Sequence, residues 1–327
     1  MWLLTQTPSI DGLTASGDNL SIEHNDGQIY RVKPRTNPEV NRWWTSDEIR
    51  YGWKFVHSPD RLRVPVRSQY GVQIETDWPR AYQEVNNQFK QIVRDRGPGS
   101  VAVMVSPMLA CEEAYLLGRW VRGLDPQAVL AVGPVPVHGQ DKTFPGGYTV
   151  RAEKCPNRRG VRRAMEQLTQ DDAVIVAAYD SFVTMLADKN SSVAAVLLTG
   201  NYPSRWITQE LVAALKGKFV AMIDTLPNDL TGRVDVLLPG ATWVEKAGTF
   251  ENAAGRLQSF QQAIPVIDLA KSEGQIALDL AAAGATGEPA VYDARQTRSQ
   301  MGGVFATGVS HPVRAPQKTS DMVYAEL

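Results

Sequence analysis

Residues 235–258 read DVLLPGATWVEKAGTFENAAGRLQ and give the clearest indication of the fold. The apolar run at 236–238 ends in a Pro-Gly dipeptide, a pattern typical of a buried strand that leaves a sheet in a sharp turn. Small and polar residues then gather around Gly248 and Gly255. The polar side chains of this loop either supply hydrogen bonds to a bulky polar ligand or satisfy their own backbone. They are Glu245, Lys246, Thr249, Glu251, Asn252 and Arg256.

Strand-like and helix-like segments alternate from residue 100 onwards. The apolar runs are VAVMVS, AVIVAAY, VAAVLLTG, FVAMID and VDVLLPG, and the helical patterns between them include EEAYLLGRWVRGL and ITQELVAALKG. Such alternation specifies parallel strands with crossover helices. The predicted fold class is therefore α/β, with Rossmann-like parallel-sheet lobes. The Gly- and Pro-rich residues 132–150 are predicted to connect two such lobes.

A small β-rich module is predicted ahead of the α/β region. Residues 20–33 show two apolar alternations around an Asn-Asp-Gly turn, which predicts a β-hairpin. Helical spacing at 80–94 predicts a helix, and a short helix is predicted at 291–301, with residues 302–327 extended or flexible. These patterns divide the chain into a module at 1–66, an α/β region at 67–262 and a C-terminal helix and tail at 263–327.

Composition excludes several classes of function. The net charge is −1 and the basic residues are scattered, so no basic stripe is available for nucleic acid. No apolar run approaches the roughly 20 residues that cross a bilayer. We therefore expect a cytoplasmic protein without direct membrane insertion, which other subunits bring to the inner membrane if it goes there. Neither a G-x-G-x-x-G nor a P-loop pattern is present, so no dinucleotide site is predicted.

An aromatic segment lies within the predicted module. Large aromatic side chains dominate protein cores and interfaces, so packing or a subunit contact is favoured here over the stacking of a cofactor. The segment contains Trp43, Trp44, Tyr51, Trp53, Phe55 and, beside them, His57.

The loop at 235–258 closely resembles the loop that follows a core strand in the molybdopterin oxidoreductase superfamily. Within that superfamily it is most similar to the large iron–sulfur subunit, the G subunit, of NADH:quinone oxidoreductase (respiratory complex I). The resemblance recurs at 37–62 (NPEVNRWWTSDEIRYGWKFVHSPDRL) and at 151–160 (RAEKCPNRRG), and more loosely at 106–120. The blocks stand in the order of the family. We therefore expect this chain to correspond to the C-terminal part of the large iron–sulfur subunit, without its N-terminal ferredoxin domain.

The resemblance implies a four-iron cluster in the N-terminal module, held by four cysteines. On the spacing of the family these positions fall at Asp11, Thr14, Asp18 and Ser46, none of which is a thiol. Oxygen ligands suit soft metals poorly, so the module is expected to keep the scaffold without the cluster.

The remaining candidate ligands are few. Cys111 lies in a helical pattern, where a lone thiol is expected to pack as a small hydrophobe, whereas Cys155 has basic neighbours that favour a reactive thiolate, or is an incidental loop residue. The turn at 199–203 (TGNYP) ends an apolar strand, and comparable loops in relatives contact the nucleotide tails of the pterin. The histidines lie far apart in sequence, at His24, His57, His138 and His311.

These observations predict a cofactor-free structural and assembly subunit of a complex I-like NADH dehydrogenase. Flavin- and iron–sulfur-bearing subunits would be its partners, and no residue of this chain is assigned to catalysis, cofactor binding or metal binding. One alternative is a molybdenum- or tungsten-pterin oxidoreductase subunit, similar to formate dehydrogenase or formylmethanofuran dehydrogenase, with Cys111 and His138 as the metal ligand and the acid/base group. The other is a free-standing binding protein.

Overall fold

The computed structural model describes residues 4–169, 176–283 and 289–311. The strands are β1 (Thr5–Ile10), β2 (Asn19–Asn25), β3 (Gln28–Pro34), β4 (Val66–Gln69), β5 (Val72–Glu75), β6 (Val101–Val105), β7 (Val129–Val132), β8 (Lys142–Thr143), β9 (Thr149–Val150), β10 (Ala195–Thr199), β11 (Phe219–Asp224), β12 (Val236–Pro239), β13 (Gly248–Glu251) and β14 (Leu257–Phe260). The α-helices are α1 (Asp47–Tyr51), α2 (Trp78–Arg96), α3 (Cys111–Leu124), α4 (Arg158–Glu166), α5 (Tyr179–Ala187), α6 (Gln209–Ala214), α7 (Glu273–Ala283), α8 (Ala294–Met301) and α9 (Gly303–Thr307). Two 3₁₀ helices span Gly52–His57 and Trp243–Glu245.

The centre of the molecule is a sheet with the strand order β5-β4-β12-β11-β10-β6-β7. Strands β12, β11, β10, β6 and β7 are parallel, and the β4–β5 hairpin adds two antiparallel strands beside β12. This arrangement confirms the predicted α/β class. It also brings the carboxyl ends of β10, β11 and β12 to one edge of the sheet.

The central strands are apolar throughout because helices cover both faces of the sheet. In β6, Val101, Val103 and Val105 enter a core formed with α2, α3 and α7. The alternate residues Ala102 and Met104 enter a second core, which α5 and α6 cover. Strands β10, β11 and β12 divide their side chains between the two cores in the same way. The sheet is therefore the middle of three layers.

The prediction that residues 132–150 join two lobes is wrong. Strand β6 precedes this segment and β10 follows it, yet the two strands pair directly, with Ala195 opposite Val101. The segment instead contains the small β8–β9 hairpin. Residues 173–175 of the strand predicted at 173–179 lie outside the described residues. In the described remainder, Ala177 bridges Ala131 beside β7 in parallel.

The N-terminal module contains the predicted hairpin as β2 and β3, and β1 completes a three-stranded antiparallel sheet. The core of this module is shared with the α/β region, because Trp243, Phe250 and Phe260 pack among its aliphatic side chains. Phe55 stacks on Trp243 with ring centroids 5.7 Å apart. Part of the aromatic segment therefore packs as predicted, whereas Trp43, Trp44 and Tyr51 are exposed.

The peripheral helices follow the sequence pattern only in part. The helix predicted at 80–94 is α2, which begins after Asp77, whose Oδ1 accepts from the Arg80 amide at 2.8 Å. The helix predicted at 291–301 is α8. Residues 303–307 form α9 and not the extended tail that was predicted, and residues 312–327 lie outside the described residues. In the described part of the chain, no helix combines the length and the apolar character needed to cross a membrane.

Replacing Gly200 tests the tight packing at the carboxyl ends of the strands. A Cβ at this position would lie 2.0 Å from Asp224 Oδ2. Asp224 cannot move away freely, since it is buried and accepts from the Asn201 amide and from Trp206 Nε1. We expect Gly200→Ala to lower the free energy of unfolding by about 1–3 kcal/mol in urea denaturation.

The matched control is Gly123→Ala in α3. Gly123 is exposed, and a Cβ there would meet no atom within 4 Å. Alanine should leave stability unchanged or raise it by up to about 1 kcal/mol, because it favours a helix more than glycine does. Equal losses in the two variants would contradict the packing argument.

Candidate functional site

The loops after β10, β11 and β12 meet where ligands bind in open α/β sheets. Asn201 follows β10 with a φ of 74°, in the left-handed region. Its Nδ2 donates to the Ala241 carbonyl at 2.7 Å and to Glu273 Oε1 at 3.0 Å. Asn201 therefore connects the β10 loop to the β12 loop and to the start of α7.

A buried ion triad lies beside Asn201. Lys246 Nζ is 2.9 Å from Glu113 Oε2 and also contacts Glu273 Oε2. All three side chains are inaccessible to solvent to within about 1%. Lys246 comes from the loop after the second 3₁₀ helix, Glu113 from the first turn of α3 and Glu273 from the first residue of α7. One cation thus joins three separate elements.

Burial and charge act in opposite directions on this triad. Burial would lower the pKa of Lys246, but the carboxylates of Glu113 and Glu273 outweigh it and leave the pKa raised. Burial raises the pKa of Glu273 to about 8, against the attraction of Lys246. The nearby Glu113 adds to this rise because two buried carboxylates repel each other. The lysine is therefore held in its charged form.

Two further ion pairs flank the triad. Arg61 Nη2 lies 2.8 Å from Glu245 Oε2, and both side chains are buried. Glu112 Oε1 lies 2.7 Å from Arg298 Nη1 and accepts from Thr249 Oγ1 at 2.7 Å. Arg61 and Arg298 stand far apart in sequence, so their positions beside one loop could not be read from local patterns.

Most polar side chains of the 235–258 loop thus bond to other elements of this chain. The sequence had suggested either a bulky polar ligand or the backbone of the loop itself as their partner. Besides the pairs above, Glu251 Oε1 lies 2.6 Å from Arg163 Nη2 and Arg256 Nη1 lies 2.5 Å from Glu39 Oε2. Two of these polar side chains also serve their own loop. The Oδ1 of Asn252 accepts from the amides of residues 254 and 256, and Glu245 Oε2 accepts from the amide and the hydroxyl of Thr242.

The loop glycines are required by the backbone. Gly255 has a φ of +78°, which favours glycine. Gly248 lies so close to the start of α3 that a Cβ would stand 2.4 Å from Ala110 Cβ. Both residues shape the loop.

The turn at 199–203 also forms hydrogen bonds with other parts of this chain. Thr199 Oγ1 accepts from the Ser106 amide at 2.7 Å, which ties β10 to the end of β6. Tyr202 donates to the Pro134 carbonyl at 2.7 Å and stacks on Trp206.

A second candidate site is the set of positions that resemble the cluster ligands. Asp11 Oδ1 accepts from the amides of Leu13 and Thr14 at 2.8 and 3.2 Å, and its Oδ2 accepts from Thr14 Oγ1 at 2.5 Å. Asp18 Oδ2 accepts from the Tyr148 hydroxyl at 2.7 Å. The Asp18 carbonyl also accepts from the Asp11 amide at 2.9 Å. The two aspartates are buried neighbours in one hydrogen-bonded network.

Both aspartates bind protons more tightly than usual. Burial and the nearby Asp18 charge raise the pKa of Asp11 to about 8. Burial raises the pKa of Asp18 to about 6, although the hydrogen bond from Tyr148 opposes the shift. At neutral pH the network therefore retains a proton on Asp11.

Ser46, at the fourth position, has a local role. Its side chain accepts from the Ile49 amide at 3.3 Å and caps α1. Carboxylates and hydroxyls that bond to one another do not provide the thiolates of an iron–sulfur cluster, so the donor set does not fit this group. Within the described residues, no group of three or more His, Cys, Asp or Glu side chains could hold a metal ion.

Both cysteines are buried, free thiols. Cys111 packs in the core against Asn157, as predicted. Burial raises the pKa of Cys155, and the nearby Glu153 adds to the rise. The basic neighbours Arg158 and Arg159 both pair with Glu153. Burial and these pairings favour an incidental loop residue at Cys155 over a reactive thiolate.

The histidines have separate local roles. His57 Nε2 accepts from the Ile29 amide at 3.0 Å. His24 Nε2 lies 2.9 Å from Thr7 Oγ1, and His311 Nδ1 lies 2.9 Å from Ser259 Oγ. His138 is exposed whereas Cys111 is fully buried, so these two residues do not present a shared metal site.

A three-layer α/β core preceded by a small β-rich module defines the class of protein. Residues 162–283 match the family model described as molybdopterin oxidoreductase. Residues 4–54 match the model described as NADH-ubiquinone oxidoreductase NDSU1/NuoG-like, 4Fe-4S domain. The chain is thus similar to the molybdopterin oxidoreductase family over residues 162–283, and its N-terminal module is similar to the NuoG-like 4Fe-4S domain.

Relatives in sequence support the same family. The chain is 27% identical over 116 residues to the G subunit of NADH-quinone oxidoreductase from Rickettsia felis, which is 36% of this chain and 16% of that protein. It is 30% identical over 122 residues to the NADPH-Fe(3+) oxidoreductase subunit alpha of Geobacter sulfurreducens, 37% of this chain and 14% of the relative. The matched segment thus spans about a sixth of the length of either relative.

The fold is similar to that of acetylene hydratase from Pelobacter acetylenicus. The TM-score is 0.60 with 11% sequence identity, over 85% of this chain and 69% of that enzyme. At this identity the likeness concerns the fold alone.

Removing Lys246 tests the ion triad. In Lys246→Met, Glu113 and Glu273 would remain buried without their cation, and breaking a buried pair typically costs about 3–5 kcal/mol. We expect a loss of that order in the free energy of unfolding measured in urea. Lys216→Met is the control because Lys216 is exposed, and it should change stability by about 0.5 kcal/mol or less. A loss below about 1 kcal/mol for Lys246→Met would contradict the assigned role.

The pH dependence of stability tests Asp11. Its pKa is raised from 3.8 to about 8, so between these values the folded state holds a proton that the unfolded chain has released. The contribution of Asp11 to stability therefore falls as pH rises through this window. Relative to Asp11→Asn, which keeps an acceptor for the two amides, wild type should lose up to about 1.4 kcal/mol per pH unit.

The measurement is a series of urea denaturation curves from pH 4 to pH 8, the window that the Asp11 pKa defines. Asp95→Asn is the control, since Asp95 is exposed on α2. Parallel pH profiles for wild type and Asp11→Asn would show that Asp11 does not titrate in this window.

Proposed function

We propose that this chain is a cofactor-free structural and assembly subunit of a complex of the NADH:quinone oxidoreductase type. Flavin- and iron–sulfur-bearing subunits would carry the oxidation of NADH and the transfer of electrons. This chain would hold those subunits in register, as a peripheral part of a complex at the inner membrane. Its kinship with a subunit of NADH-quinone oxidoreductase supports membership of such a complex.

The observation that carries the proposal is the chemistry of the four positions that resemble cluster ligands. Asp11, Thr14 and Asp18 are committed to a buried hydrogen-bond network, and Ser46 caps a helix. The module thus keeps the NuoG-like fold with a donor set that suits no iron–sulfur cluster. An electron path through this module would lack its carrier.

The carboxyl edge of the sheet supports the same proposal. The residues around the 235–258 loop pair with one another, and in the triad Lys246 lies between two buried glutamates. The phosphates of a pterin cofactor would have to displace these buried ion pairs, whose cations are already bound by glutamates of this chain. The site therefore does not fit an anionic pterin, and no catalytic step is assigned to it.

A structural role fits what the paired side chains do. Each ion pair joins elements that are distant in sequence, as Arg61 joins the end of the module to the β12 loop. Such pairs fix the relative positions of the module, α3 and α7, which gives partners a surface of constant shape. The chain would position its partner subunits, and those subunits would carry out the redox chemistry.

The test is purification of the tagged chain from its own cells, followed by metal analysis, absorption spectroscopy and identification of co-purifying proteins. We expect flavin- and cluster-bearing dehydrogenase subunits to co-purify. The isolated chain should contain far less than one atom of iron, molybdenum or tungsten. Stoichiometric molybdenum or tungsten would overturn the proposal in favour of a pterin enzyme, and co-purification of no redox subunit would favour a free-standing binding protein.

A variant with restored thiols provides the control for the spectroscopy. It combines Asp11→Cys, Thr14→Cys, Asp18→Cys and Ser46→Cys, which together recreate a four-thiolate donor set. After anaerobic reconstitution with iron and sulfide, the absorbance of a four-iron cluster should appear in this variant and not in wild type. Equal cluster content in both proteins would contradict the argument from the donor set.

A further inference from the structure

The N-terminal module carries a groove that none of the roles above uses. It is about 330 Å³ in volume and is lined by residues 30–34 of β3 and by Arg50, Tyr51 and Trp53. We call it the Tyr51 groove. Within the described residues, strand β3 is an outer strand of its sheet and pairs with β2. The groove therefore lies at an edge of the module.

Two tyrosine side chains of the groove are exposed, so packing in the core of this chain does not account for their positions. Tyr30 is 54% exposed and Tyr51 is 56% exposed. Trp53 is held in place, since its Nε1 donates to the Arg50 carbonyl at 2.9 Å. Rigid, amphipathic tyrosine and tryptophan side chains are enriched at protein interfaces, where each buries about 150–250 Å².

The groove is also positively charged. Arg31, Lys33 and Arg50 line it, and no acidic residue is among its lining residues. Arg31 and Lys33 share the single carboxylate of Glu23, which is buried beneath them. Arg50 has only a long contact of 3.8 Å with Asp47, which is itself 81% exposed. The three cations thus contact two carboxylates, those of Glu23 and Asp47. An excess of positive charge therefore remains beside the aromatic rings.

We propose that the Tyr51 groove is the docking surface for an acidic segment of a neighbouring protein subunit. A carboxylate of that segment would take the place of water beside Arg50 and Lys33, and an apolar side chain would pack between Tyr30 and Tyr51. The volume suits one or two side chains, which is the scale of an interface anchor. Tyrosine, tryptophan and arginine are the residues that dominate binding energy at such anchors. The inference rests on the proposed function in that it requires the chain to act within a complex.

Photo-crosslinking in the intact complex tests the proposal. A photoreactive phenylalanine analogue replaces Tyr51 in the tagged full-length chain, and the complex is purified from the native host after irradiation. The control carries the same analogue at Tyr70, which is 97% exposed and lies in the β4–β5 turn. We expect position 51, and not position 70, to crosslink to a peptide rich in Asp and Glu from another subunit.

Two substitutions measure the contribution of the groove. Tyr51→Ala should reduce the amount of the crosslinked partner that co-purifies by roughly tenfold, as expected of an interface anchor. Arg50→Glu should reduce it by a similar factor at low salt and by less at high salt, because exposed charges are screened. Tyr70→Ala should change nothing, and thermal melting should show that all three variants are folded.

The outcomes separate this inference from the proposed function. If redox subunits co-purify equally with wild type, Tyr51→Ala and Arg50→Glu, the groove is not the docking surface, although the function stands. A crosslink to a lipid, to a second copy of this chain or to a peptide without acidic residues also overturns the inference. If no redox subunit co-purifies with wild type, both proposals fail.

Discussion

The buried charge of Lys246 is the constraint on which the rest of the structure depends. An ammonium group away from water is tolerated only when carboxylates surround it. Glu113 and Glu273 meet that condition, and they fix the first turns of α3 and α7 against the loop after β12. Asn201 extends the same network to the loop after β10. The edge of the sheet that receives ligands in many α/β proteins is thereby occupied by the protein's own ion pairs.

Buried polar contacts also stabilise the N-terminal module, but there they are hydrogen bonds to a carboxyl group and not ion pairs. The loop after β1 is shaped by the Asp11 carboxylate, which accepts from two amides and a hydroxyl. The module gains further support from Trp243 and Phe250 of the α/β region, which enter its core. Apolar burial and hydrogen bonds to oxygen atoms together maintain the fold of this module, which matches a family model described as a 4Fe-4S domain.

Several predictions from sequence were confirmed because they depend on local periodicity. The β2–β3 hairpin, α2, α8 and the parallel strands all follow from alternation or helical spacing. The assignment of two lobes failed because no local pattern states that β6 pairs with β10 across more than 90 residues. The helix at 303–307 was missed because its Gly-rich start is atypical of helices. The division of the chain at residues 66 and 262 stays a prediction.

The partners of the polar loop illustrate the same limit. The sequence singled out Glu245, Lys246 and Thr249 as notable, yet it could not name Arg61, Glu112 or Glu273 as their partners. The adjacent acids at the start of α3, followed by the apolar run at 114–117, were the one available signal. A pair of carboxylates in such a helix requires cations from elsewhere when it is buried.

The sequence by itself determined the α/β class and the similarity to the molybdopterin oxidoreductase family, because periodicity, motif order and residue type are local properties. The tertiary structure alone decided which charges meet, which strands share a sheet and which aromatic residues remain exposed. The physical reason is that pKa shifts, ion pairing and burial depend on distances between residues that are far apart in the chain. The residues of the 235–258 loop therefore became interpretable only when their partners were in place.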